Sequence, residues 1–183
     1  MLYAEARIIF ALCASPHGKT ILNVCSSGEA FYKREQPFIW DELLDPLSRD
    51  NKLTNLDIKD EPGIDIVSDC RHMPEIGTST YDMVLFCSGI EHMRKPQKAV
   101  TEIQRVLKKD GFAVFSAPGV YPKHKDPIDT MLRFPDKKAW SFFLGSGWEI
   151  TEFRATEPEA AKPFYHFDRQ VYATIVRCRP HGH

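Results

Sequence analysis

Five short stretches carry residues that could do chemistry. Cys25-Ser26-Ser27-Gly28 is a run of small residues, which lets backbone N–H groups approach a ligand closely. Asn55-Leu56-Asp57 ends in a carboxylate that can accept both hydroxyls of a ribose. In Asp69-Cys70 the carboxylate could accept an exocyclic amine, and the N–H of Cys70 could bond a ring nitrogen. Ser88-Gly89-Ile90-Glu91-His92 offers His92 as a general base, with Glu91 free to cap or orient the next segment. Further on, His124 is a second candidate base, with Tyr121 and Asp126 near it in sequence. Each stretch also has a plainer reading: a tight turn, an Asx turn, a solvated loop or a structural histidine.

The elements around these residues give the functional reading its weight. Thr20–Val24, Leu53–Ile58, Ile64–Val67, Tyr81–Cys87 and Phe112–Ser116 are short apolar runs that read as strands. Each of the first four stretches stands at the end of such a strand: Asn55-Leu56-Asp57 closes one, and the others come just after one. Helices are expected at residues 3–14, at Phe38–Leu47, and from Pro96 to Lys109. In the last of these, Ala99, Val100, Ile103, Val106 and Leu107 make one apolar face. There Pro96 suits the first turn, Lys108 and Lys109 the last, and Asp110-Gly111 the stop. Asp136 can cap a helix to Leu144, and Glu149–Arg154 and Val171–Cys178 read as final strands. Alternating strands and helices predict an α/β fold, a doubly wound and mostly parallel sheet with helices on both faces. In such sheets ligands bind outside the carboxyl ends of the strands, where strand order reverses. Pro118–Arg133 follows the fifth strand, so Tyr121, Lys123, His124, Lys125 and Arg133 could overhang that place and grip an anionic group.

Composition sets the outer limits. The 183 residues fit one domain, and the net charge of −1 gives no field directed at nucleic acid or anionic membrane. The five cysteines show no C-x-x-C spacing, so neither a zinc knuckle nor a disulfide framework is indicated. They read as reduced thiols in a cytoplasmic setting. The apolar run Ile8–Ala14 is too short for a membrane span. Glu5 sits where a signal peptide should be positive, so the run reads as an opening helix. Gly18-Lys19-Thr20 imitates the end of a phosphate-binding loop, but Cys13 stands where its first glycine belongs and a strand follows. No G-x-G-x-x-G fingerprint is present, which argues against a nicotinamide or flavin oxidoreductase.

In this order the pieces resemble a known family. Ile21-Leu22-Asn23-Val24 and its small-residue turn, Asn55–Ile58, Pro62–Asp69, and Tyr81–Phe86 with Ile90-Glu91-His92 are similar to successive motifs of the class I S-adenosylmethionine-dependent methyltransferases. So are Ala99–Gly111, Pro127–Phe134 and Gly147-Trp148-Glu149. The likeness is to a compact type 11-like subgroup and covers roughly residues 20–150. It implies a Rossmann-like seven-stranded sheet whose last strand, Val171–Cys178, is antiparallel. It implies a cofactor-binding half at 20–118 and a substrate-side half at 119–183, after a lead-in at 1–19. The implied cofactor is S-adenosylmethionine. Asp57 would hold the ribose, Asp69 and Cys70 the adenine, the Cys25, Ser26, Ser27 and Gly28 turn the methionine end, and Ser88 the floor near the sulfonium. His92 and His124 are the candidate catalytic residues, and no metal is expected. The expected acceptor is a small molecule, with a protein partner or a homodimer open and no membrane or nucleic-acid role indicated. The alternative is an inactive binding or scaffold subunit of the same fold. The first motif departs from the family's pattern, because Cys25 and Ser27 stand where glycines are expected, and Gly89 replaces a bulkier residue.

Overall fold

The structure is a computed structural model that describes residues 1–124, 128–160 and 170–181. Lys125, Asp126 and Pro127, named above, lie outside the described residues. The strands are β1 (Thr20–Val24), β2 (Lys52–Asp57), β3 (Ile66–Val67), β4 (Tyr81–Cys87), β5 (Leu107–Val120), β6 (Trp148–Ala155), β7 (Glu159–Ala160) and β8 (Gln170–Pro180). Seven of them form the order β3-β2-β1-β4-β5-β8-β6, and β7 pairs with β8 off this path. β1 to β5 pair in parallel, while β8 runs antiparallel to both β5 and β6. The expected α/β sheet with an antiparallel last strand is therefore present.

Side chains that alternate along each strand point to opposite faces, and both faces are covered. Leu22, Val84, Phe86, Ala113 and Phe115 enter one apolar cluster with Ala99, Val100 and Ile103 of α4 (Pro96–Val106) and Trp140 of α5 (Lys137–Leu144). The residues between them, Ile21, Met83, Leu85 and Val114, enter the other. That cluster contains Ala6, Ile9 and Leu12 of α1 (Tyr3–Leu12) and Leu43, Leu44 and Leu47. The last three belong to a helical run at residues 31–48. It comprises a π-helical turn Phe31–Glu35, α2 (Pro37–Ile39), a second π-helical turn Trp40–Leu44 and α3 (Asp45–Ser48). The sequence predicts only its second part, Phe38–Leu47.

One boundary is corrected. α4 ends at Val106, and Leu107 opens β5 opposite Tyr81, so Lys108 and Lys109 are strand residues and not a last helical turn. The register slips between Tyr81 and Met83, and Asp110-Gly111 lies in that irregularity. A Cβ at Gly111 would stand 2.9 Å from the Asp82 carbonyl, so glycine lets the strands close there. At the other helix, Asp136 caps α5 as expected, its carboxylate accepting from Ala139 N at 2.8 Å. Trp140 is fully buried. Its indole donates to Thr174 Oγ1 at 2.9 Å, which satisfies the polar edge of a large core side chain.

β1 continues to β2 and β3 on one side, and the chain then crosses to place β4 on its other side. The strand order therefore reverses at β1 and β4. A ligand crevice is expected at their carboxyl ends.

Candidate functional site

A cleft of about 840 Å³ opens at that place. Cys25, Ser26 and Ser27 after β1, Ser88 after β4, and His92 and His124 all line it. Gly28, Asp57, Asp69 and Cys70 do not; Gly28 lies between two lining residues, Asp57 accepts from Ser27 N, and Cys70 Sγ lies 3.8 Å from Cys25 Sγ.

The turn after β1 keeps a glycine-type backbone without the glycines. Cys25 and Ser27 have φ of 55° and 62°, in the left-handed region that glycine enters freely and other residues at a cost of about 1–2 kcal/mol. Two bonds hold this shape. Ser26 N donates to Leu56 O at 3.1 Å, and Ser27 N donates to Asp57 Oδ2 at 3.0 Å. The other Asp57 oxygen accepts from Lys59 N at 3.1 Å. Asp57 is 8% exposed, so this carboxylate props the turn and retains unused lone pairs. A Cβ at Gly28 would stand 2.5 Å from the Glu61 carboxylate, which explains why the last position of the turn remains glycine.

The Cys25 side chain fills space that a bulkier residue 89 would need. A Cβ built on Gly89 would lie 2.7 Å from the Phe86 ring and 3.1 Å from Cys25 Cβ. The two departures from the family's pattern are thus sterically paired. Cys25 Sγ also sits 3.8 Å from Cys70 Sγ. The proton shared with Cys70, together with burial, pushes the Cys25 thiol well above its ordinary range, so it is not a nucleophile.

At the adenine-side position, Asp69 is engaged. The Arg71 side chain forks onto both carboxylate oxygens, at 2.9 and 3.1 Å from Nε and 2.7 Å from Nη2, and its N–H donates at 2.9 Å. The Arg71 hydrogen bonds hold the Asp69 carboxyl below the usual carboxylate range. Cys70 is 5% exposed.

The floor includes a residue that sequence reasoning missed. Glu5 of α1 is 2% exposed, and its Oε1 accepts from Ser88 Oγ at 3.0 Å and from Ser116 Oγ at 2.6 Å. Its Oε2 accepts from Leu2 N at 2.9 Å. α1 thereby closes one wall of the cleft and fixes the Ser88 hydroxyl. Only the acidity of Glu5 in an otherwise apolar helical stretch hinted at a buried partner.

The opposite wall is built by side chains. Glu91 and His92 lie in a 3-10 turn, Ile90–His92, just after β4. The loop after β5 is stitched to it: Thr130 N and Oγ1 both donate to Glu91 O, at 2.9 and 3.0 Å. His92 Nδ1 meets Ile128 O at 2.7 Å, and the two Nε2 atoms of His92 and His124 are 3.3 Å apart. His124 Nδ1 lies 3.1 Å from Asp129 Oδ2. Arg133 is spent on Asp129, at 2.7 and 3.1 Å, and on the carbonyls of Tyr121 and Pro122 at 3.2 and 3.3 Å. Arg133 therefore organises the loop and does not reach for an anion. Lys123 is exposed. Burial pushes the Glu91 carboxyl up to about 7. Burial would also raise Asp129, but hydrogen bonds from Arg133, Met131 N and His124 N hold it well below the carboxylate range.

Among the described residues, four buried side-chain polar atoms have no hydrogen-bond partner. Three of them, Tyr32 Oη, Gln36 Oε1 and Glu91 Oε2, belong to residues that line the cleft. Unpartnered buried groups are rare in folded proteins, and three of the four here belong to residues around one cleft.

Comparison with known proteins follows the same outline. A family model described as a methyltransferase domain matches residues 44–115, which include Asp57, Asp69, Cys70, Ser88 and His92. The match covers the middle of the chain, from Leu44 to Phe115. Methyltransferase structures share its architecture at low identity. An S-adenosylmethionine-dependent methyltransferase from Aquifex aeolicus matches with TM-score 0.58 and 13% identity, covering 97% of this chain and 98% of that one. The 1,6-didemethyltoxoflavin-N1-methyltransferase of Burkholderia thailandensis, solved with S-adenosylhomocysteine, gives 0.58 and 11%, covering 97% and 78%. The cyclase SpnF gives 0.65 and 13%, covering 98% and 82%. At such identities the likeness speaks for the fold, and a cyclase among the matches shows that this fold does not dictate one reaction. No curated protein matches the chain by sequence. None of the described helices is long and apolar enough to cross a membrane.

Proposed function

We propose that the protein binds S-adenosylmethionine across the carboxyl ends of β1, β2 and β4 and transfers its methyl group to a small acceptor. The observation that carries this reading is the turn after β1. Its left-handed backbone at Cys25 and Ser27, tied to Asp57 through the Ser27 N–H, keeps the cradle that a cofactor's methionine end requires. The residues present fit the group. Asp57 has lone pairs left for ribose hydroxyls, Cys70 N is the candidate adenine donor beside Asp69, and Tyr32 and Gln36 line the cleft. The cofactor named for the Aquifex relative and the bound product in the Burkholderia enzyme support the choice.

S-adenosylmethionine supplies a methyl group on a sulfonium, which is already a good leaving group. The protein's main contribution is then to align the acceptor with that methyl. Ser88, held by Glu5, forms the floor. His92 and His124 stand on the acceptor side, where either can take a proton from an acceptor hydroxyl, amine or thiol. The unpaired thiols fit a cytoplasmic setting.

One observation favours the alternative, a non-catalytic binding subunit. The Asp69 carboxylate is filled by the Arg71 fork, so an adenine amine would have to displace a charged partner. Calorimetric titration with S-adenosylmethionine and S-adenosylhomocysteine decides. Binding that Asp57→Ala weakens by about 1–3 kcal/mol in a folded variant supports the proposal. No heat and no thermal shift at millimolar cofactor would overturn it.

A further inference from the structure

We infer that Glu91, His92 and His124 form a binding site for one divalent transition-metal cation, facing the cleft from the acceptor side.

The first argument is proton placement. His92 Nδ1 meets a backbone carbonyl, Ile128 O, at 2.7 Å. His124 Nδ1 faces the carboxylate of Asp129 at 3.1 Å and the Pro122 carbonyl at 3.5 Å. These partners only accept, so each Nδ1 donates and Nε2 is the ring nitrogen left to ligate. The two Nε2 atoms nevertheless face each other at 3.3 Å. That distance is long for an N–H···N hydrogen bond, whereas a cation bound by both nitrogens would account for it. Imidazole nitrogens bound at about 2.0–2.1 Å to one tetrahedral ion stand about 3.3–3.4 Å apart. The observed spacing is the edge of such a tetrahedron.

The second argument is the carboxylate. Glu91 Oε1 is 3.7 Å from His92 Nε2, and one ligand atom from each of the three residues falls within 4.8 Å of the others. The Glu91 side chain is 3% exposed, and its Oε2 has no hydrogen-bond partner among the described residues. A buried carboxylate oxygen with no donor beside two imidazole lone pairs is supplied for a cation.

The surroundings have the form that metal sites use. Asp129, whose side chain is fully buried, holds His124 from behind, and Arg133 holds Asp129 at 2.7 Å. A carboxylate behind a ligating histidine fixes its tautomer and orientation. Two imidazoles and one carboxylate, with no thiolate in the group, suit zinc or iron(II) better than magnesium or calcium. Three protein ligands leave a coordination position open toward the cleft, as in catalytic sites. An ion there would hold an acceptor oxygen, nitrogen or sulfur and lower its pKa. That use of the ion rests on the methyl-transfer reading; the binding of the ion does not.

The test uses the full chain, stripped with chelator and equilibrated with zinc. One retained zinc per chain is expected, and the His92→Ala/His124→Ala double variant should retain at least tenfold less. Glu91→Gln should weaken retention while circular dichroism stays unchanged. X-ray absorption on the zinc-loaded wild type needs no variant and should show two imidazoles at about 2.0 Å. A coordination shell without imidazole, or equal zinc retention by wild type and a folded double variant, would overturn the site. Cofactor calorimetry is independent of these readouts, so failure of the metal site and failure of the methyltransferase reading are distinguishable.

Discussion

The two ends of the central strands are built to opposite rules. At the amino ends of β1, β4 and β5, Asp82 Oδ2 accepts from Thr20 N at 2.9 Å, from Thr20 Oγ1 at 2.8 Å and from Lys108 Nζ at 3.0 Å. Nearby, Asn51 spans the loop before β1, taking Lys19 N and donating to the carbonyls of Pro16 and Leu47. At the carboxyl ends, three cleft residues carry buried polar atoms without partners, and the Nε2 atoms of two imidazoles face each other at 3.3 Å. Left-handed backbone does not separate the ends. It occurs at Ala14, Ser15 and Ser79 on the amino side as well as at Cys25, Ser27 and Ser88. Polar satisfaction separates them better: three of the four unpartnered atoms among the described residues belong to cleft residues, and the fourth, Arg177 Nε, belongs to a guanidinium that lies over the Phe112 ring. A strained turn can be purely structural, whereas a cluster of unmet hydrogen-bonding groups around one cleft points to a ligand.

Gly89→Val should produce the largest stability change. It drives a branched side chain against the Phe86 ring and Cys25, costing about 3 kcal/mol in urea unfolding. The same substitution in a Cys25→Gly background should cost clearly less; an equal cost would show that the Phe86 contact alone sets the limit. Asp82→Asn, at the other end, should cost about 1–2 kcal/mol, since its partners are partly solvated. It should leave cofactor and zinc binding unchanged, and a loss of either would erase the contrast between the ends.

The Asp82 carboxyl also sets a pH dependence. Burial would raise its pKa, but the bonds from Thr20 and Lys108 outweigh this and lower it from 3.8 to about 2. A depressed folded-state pKa contributes stability that is present above pH 3.8 and fades as pH falls toward 2. Acid titration of the melting temperature should therefore fall less steeply through that window in Asp82→Asn than in the wild type. The smallest effect is expected at the turn. Ser27→Gly removes a left-handed side chain but loosens the unfolded chain, so stability should move by less than about 1 kcal/mol. Affinity for S-adenosylhomocysteine should rise, and a fall would assign the Ser27 hydroxyl a direct contact.

Much of the fold was legible because strand residues alternate between two apolar clusters and the helices keep one apolar face. Val106-Leu107-Lys108 was misplaced because an apolar pair followed by lysines fits the end of a helix and the start of a buried strand equally well. Pairing of Leu107 with Tyr81, which no local pattern records, decides it. The candidate cleft was legible by position, since Cys25–Ser27, Ser88 and His92 follow strands. Its polar wiring was not. Glu5 meets partners 83 and 111 residues away, and the Arg71 fork on Asp69 depends on side-chain geometry that residue types leave open.

Cys25 and Gly89 set a limit on how this end of the cleft can be redesigned. A side chain added at position 89 would meet the Phe86 ring at 2.7 Å and Cys25 Cβ at 3.1 Å. Exchanging positions 25 and 89 together relieves the contact with the cysteine but leaves the closer contact with the ring. The cleft floor here is therefore shaped by three side-chain positions at once, and Phe86 has to be varied with the other two.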